Sequence, residues 1–174
     1  MTREFKGTSE FTRLAEDLLV PARICLALLA ADLALPHLRR SPDIHLAREA
    51  LSYALNWHQG KPVDLGRWED VLEAEETSMM FAGDRARARS KEEHLAWVLL
   101  GNAIDYVAYR VFLAENRTPQ TSLDNIDDRQ LNVVDRDLRA LDPSSMALMT
   151  KAAAYLKRHP NAQLAQVKAQ ILKG

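Results

Sequence analysis

The chain has 174 residues, 23 Lys+Arg against 24 Asp+Glu, 47% apolar and 27% charged residues, and only 6 Gly and 7 Pro. These values suit one globular, helix-rich domain and exclude a disordered or collagen-like chain, while a net charge of −1 supplies no bulk basic field for nucleic acid or an anionic membrane. A lone cysteine, Cys25, excludes an internal disulfide and a thiolate zinc cluster.

The spacing predicts a short amphipathic helix over residues 10–20, then a second helix from Pro21, where a proline loses no helical hydrogen bond, to Leu35. This second helix is apolar on nearly every side, which places it at the centre of a bundle. Its uninterrupted apolar run, Ile24 to Ala31, is too short to span a bilayer. Acidic Glu16 and Asp17 precede it where a secretion signal carries basic residues, so a cytoplasmic protein beginning near Met1 is expected. Cys25 lies inside that run and reads as a small buried hydrophobe.

Ser41-Pro42 opens a helix that Gly60 ends, with Ile44, Ala47, Leu51, Ala54, Leu55 and His58 on one face. Asp64 caps the next, which runs through Val71 and Leu72 into the acidic stretch Glu69 to Glu76. Met79-Met80-Phe81 follows, and Gly83-Asp84 with the basic segment to Lys91 reads as a solvated loop. Ser90 and Glu93 have capping-box spacing at the start of a long helix to about Asn116, apolar on two sides and so also central. A loop from Thr118 precedes an Asp- and Arg-rich helix near residues 127–141. Asp142-Pro143 then starts another helix to about Arg158, and a last one holds Leu164, Val167 and Ile171. The expectation is an all-α, single-domain bundle of about six to eight helices over residues 1–174, without strands or internal repeats.

Catalytic and metal patterns are missing. The five histidines fall in separate segments without a Glu-x-x-His, which a di-iron bundle needs to project its ligands inward; His45 and Glu49, four apart, are an isolated pair. No nucleophile elbow, Walker loop or dinucleotide fingerprint occurs, so neither enzyme activity nor a cofactor is expected. Asn102, Asp105, Tyr106 and Tyr109 form a polar stripe on the long central helix, read as an internal hydrogen-bond network that sets helix register.

Charge is sorted into blocks. Residues 61–82 are net −4 and residues 119–142 net −3, whereas residues 83–91 are net +3 and the segment from Pro143 carries five cations and no acid. A nucleic-acid contact through Arg85, Arg87, Arg89 and Lys91 with the basic tail is the rival reading, but no helix-turn-helix or interleaved aromatics support it.

Three segments carry a family resemblance. They are Pro21-Ala22-Arg23-Ile24-Cys25-Leu26-Ala27-Leu28 through Leu35-Pro36, Ala54-Leu55-Asn56-Trp57-His58-Gln59-Gly60-Lys61, and Ala96-Trp97-Val98-Leu99-Leu100-Gly101-Asn102-Ala103-Ile104-Asp105-Tyr106-Val107-Ala108-Tyr109. Together they resemble the bacterial immunity protein 6 family. The likeness covers residues 21–119, the family-like body, and leaves residues 120–174 as a helical C-terminal extension.

The resemblance implies a non-enzymatic helical protein that binds and neutralises the cognate toxin of a polymorphic toxin system in bacterial competition, 1:1, in the cytoplasm and away from membranes. An acidic surface steers a basic partner. The residues expected to contact the toxin are therefore Glu69, Asp70, Glu73, Glu75, Glu76, Asp124, Asp127 and Asp128, with Trp68 as an aromatic anchor.

Overall fold

The computed structural model describes residues 10–74, 77–118, 123 and 126–173. Over these residues the chain is all-α, with nine helices and no strand. They are α1 (Glu10–Glu16), α2 (Val20–Ala34), α3 (Ile44–His58), α4 (Leu65–Glu73), α5 (Met79–Arg87), α6 (Lys91–Ala114), α7 (Gln130–Leu141), α8 (Met146–Arg158) and α9 (Leu164–Ile171). Short 3₁₀ turns at Leu35–Leu38 and Pro143–Ser145 follow α2 and precede α8.

The two helices without a polar face form the centre. α2 and α6 pack against each other more extensively than any other pair; α3 and α7 also lie on both of them. α8 and α9 cover the rest of α2, and α5 lies along α6. From Ile24 to Ala31 no α2 residue is more than 2% exposed. Val20–Leu38 is, by length and composition, the one stretch among the described residues able to cross a membrane. Here other helices surround it, and its apolarity is that of a core element. Burial also pushes the Cys25 thiol up to about 12, so at neutral pH it is a protonated, unreactive core group.

Two helices end on residues that accept left-handed backbone. At the end of α3, Gly60 has φ 73°, the Gly60 N–H donates to the Trp57 carbonyl and the Lys61 N–H to that of Asn56. At the end of α6, Asn116 has φ 53°, with matching bonds to Leu113 and Phe112. Both close the last turn with a Schellman motif. The indole of Trp57 donates to Glu115 at 3.2 Å and so ties the two ends together.

The segment expected as a loop at residues 83–89 is helical through Arg87. Met79, Ala82 and Ala86 recur at helical spacing and are buried, and Gly83 sits against α6, where an added Cβ would be in van der Waals contact with the Trp97 Cβ at 3.4 Å. Packing on α6 overrides the weak helical propensity of Gly and Asp.

The Ser90–Glu93 capping box is half formed. Ser90 Oγ accepts from the Glu93 N–H at 3.3 Å, but the Ser90 N–H already donates to the Ala86 carbonyl at the end of α5. The Glu93 carboxylate turns to Arg89 instead, and that hydrogen bond holds it below the usual carboxylate range. Ser90→Ala is expected to cost about 1 kcal/mol. Urea unfolding checks this, with an unchanged denaturant slope.

Candidate functional site: the acidic surface and the cavity at α4, α5 and α6

The expected toxin-contacting residues have different surroundings. Trp68 requires correction. It is 0% exposed, stacks on Tyr53 at 6.3 Å between ring centres and lies 6.3 Å from Phe112, so it is a core residue and not a surface anchor. α4 is amphipathic, and Trp68, Val71 and Leu72 share its buried stripe.

Glu69 is only 17% exposed and faces Arg117, 3.7 Å away beyond the end of α6. Asp70 is exposed, and Glu73 is half-buried at the C-terminal end of α4. Asp127 accepts from both the backbone and the side chain of Arg129 at 2.8 Å. Glu75, Glu76 and Asp124 lie outside the described residues.

Asp128 works as a joint. Arg23 of α2 (2.7 Å), Arg110 of α6 and the Tyr106 hydroxyl (3.1 Å) converge on its carboxylate, linking the turn before α7 to both central helices. Burial pushes its carboxyl up, but the hydrogen bond and charge of Arg110, with Arg23 and Tyr106, outweigh that and hold it below the usual range. Charge reversal here would break the fold as well as alter the surface.

The polar stripe on α6 divides. Asn102 donates to Asp137 at 2.6 Å and accepts from Gln130 at 2.9 Å, both on α7, while Tyr106 serves the Asp128 joint. The Arg110 guanidinium lies over the Tyr109 ring at 5.4 Å. Asp105 belongs to neither group: it has no hydrogen-bond or ion-pair partner among the described residues and turns toward α4 and α5. The register role expected for all four residues therefore falls to Asn102 and Tyr106.

Asp105 lines a cavity of about 310 Å³ with Leu72 and Glu73 of α4, Met79, Met80, Gly83, Asp84 and Arg87 of α5, and a stripe of α6. That stripe comprises His94, Val98, Gly101 and Asp105, at i, i+4, i+7 and i+11. Gly101 keeps the space open, since a Cβ built there meets nothing within 4 Å. His94 anchors one wall through Nδ1, 3.0 Å from the Gly83 carbonyl oxygen. Burial, then the charge of Glu73, pushes the Asp105 carboxyl up to about 7.

The basic segment is partly spent. Arg85 pairs with Asp43 at 2.9 Å; Arg89 pairs with Glu93 at 2.5 Å and lies 3.7 Å from Asp43. Arg87 and Lys91 are exposed. In the basic tail, Lys157 pairs with Asp17 at 3.0 Å and Lys168 with Asp32 at 2.6 Å. These cations close the bundle. His45 is exposed, and Glu49, four residues on, is engaged by Arg67 at 3.3 Å and the Tyr53 hydroxyl at 3.4 Å.

The fold and this surface define an all-α helical protein with an acid-lined cavity. Compared with protein-family profiles, curated proteins and solved structures, the chain shows no significant match to any of them.

Proposed function

We propose that this chain is a cytoplasmic immunity protein that neutralises a cognate bacterial toxin by direct 1:1 occlusion, without catalysis or a cofactor. The reading is carried by the family resemblance over residues 21–119, whose quoted segments coincide with α2, the end of α3 and the middle of α6. Exposed Asp70, with half-buried Asp127 and Glu73, supports a basic partner, because a negative rim accelerates encounter with a positive surface. A stable interface of this kind takes about 20 to 30 residues on each side.

The test is co-expression with the toxin encoded by the neighbouring gene. Growth is expected to be rescued, and the two chains to co-purify 1:1. Asp70→Lys with Asp127→Lys is expected to slow association about 10-fold at low salt, with a smaller effect on dissociation. An unchanged association rate removes these two acids from the interface. Strongly salt-dependent retention on double-stranded DNA, without toxin capture, favours the nucleic-acid reading instead.

A further inference from the structure

The cavity walled by α4, α5 and α6 has two features that its structural role does not explain. A glycine in the middle of a helix is costly, and Gly101 is not needed for close packing because nothing stands where its side chain would go. Asp105, half-buried at the cavity, has no side-chain donor or ion-pair partner among the described residues. One feature keeps a space open and the other lines it with a carboxylate that no protein cation or donor engages among the described residues. The remaining walls supply apolar surface from Leu72, Met79, Trp97 and Val98, and Met80 is 58% exposed. The charged groups around the space are Glu73 from α4, Asp84 and Arg87 from α5, and Asp105 with His94 from α6, an acidic balance overall. A volume of about 310 Å³ is at the small end for ligand cavities, which suits one side chain better than a helix.

We propose that this cavity receives a single basic side chain of a protein partner, its guanidinium or ammonium against Asp105 and its aliphatic stem along Leu72, Met79 and Met80. This deepens the toxin-binding reading above and rests on it only for the source of the side chain. A long cation matches both halves of the cavity, because its charge supplies the donors that Asp105 lacks while its methylenes cover the methionines.

The full chain, labelled with ¹⁵N, is titrated at pH 8 and constant ionic strength with n-butylguanidinium and n-butylammonium, and with neutral N-butylacetamide as control. The Trp97 indole resonance and the α6 amides report binding. Saturable shifts confined to the cavity are expected for at least one cation, with a dissociation constant on the order of 1 mM. Asp105→Asn and Gly101→Leu, the second of which fills the space without removing charge, are each expected to weaken binding at least 10-fold while far-ultraviolet circular dichroism stays helical. Equal binding of the neutral amide overturns the proposal, as does unchanged binding in both variants. If neither cation binds while toxin protection persists, the pocket alone is lost. If a cation binds and no protection is found, the toxin reading fails and the pocket stands.

Discussion

Trp68→Ala is expected to destabilise the protein by about 3–5 kcal/mol, the range for removing a large buried aromatic ring from a core that cannot collapse around the void. The ring is wholly enclosed between Tyr53 of α3 and Phe112 of α6, so it fixes α4 against two other helices. Trp68→Phe is expected to cost far less. It keeps most of the packing and removes an indole N–H that has no partner among the described residues, an unsatisfied donor whose burial already costs free energy. Denaturant unfolding of the two variants, read with toxin binding below the transition, separates the possibilities. A surface anchor would lose binding in both variants with stability intact, the reverse of the expected pattern.

Asp105→Asn is expected to stabilise the protein, increasingly so as pH rises. In the folded chain the Asp105 carboxyl titrates at about 7 instead of its ordinary 3.8. The folded state therefore holds this proton more tightly than the unfolded state, and ionising the group opposes folding. The resulting penalty is absent below about pH 4, grows through the interval to pH 7 and is complete above it. Its upper bound is roughly 4 kcal/mol, reduced by the access that the cavity gives to water. The variant should melt about 5 °C or more above the parent at pH 8, and with it at pH 4. The charge of Glu73 adds to the penalty that burial imposes, so Glu73→Gln should capture part of the same gain. A gain independent of pH would mean that the carboxylate is not the source. The same substitution is expected to weaken binding of the cationic probes, so stability and recognition trade against each other at one residue.

The central architecture was legible because it depends on composition along single helices. α2 and α6 lack a polar face, and Pro21, Gly60, Ser90 and Pro143 stand near helix ends as their chemistry requires. α5 was obscured by local signals: Gly83-Asp84 and the arginines suggest a loop, although Met79, Ala82 and Ala86 already carried the helical spacing. Trp68 shows a similar difficulty, since an aromatic beside an acidic run suits an interface and a core equally until Val71 and Leu72 are placed on its stripe.

The division of the α6 stripe was not readable from spacing. Asn102, Asp105 and Tyr106 are close on one helix, but their surroundings come from distant segments. Gln130 and Asp137 claim Asn102, Asp128 claims Tyr106, and Glu73 faces Asp105. The cavity was equally hidden, because the space at Gly101 exists only where α4 and α5 meet α6.

The position of α2 in chain order bears on how the protein folds. Most of the helices that cover this apolar helix (α3, α6, α7, α8 and α9) come later in the chain. A chain growing from its N-terminus thus presents its greasiest segment well before it can make the surface that hides it. The cover from α8 and α9 closes contacts more than 100 residues apart, typified by Lys168 with Asp32. Such long-range closure is late and slow compared with the local pairing of neighbouring helices. During synthesis the exposed α2 is the segment that a chaperone would hold, and C-terminal truncations that remove α8 and α9 should aggregate through it rather than populate a smaller folded bundle.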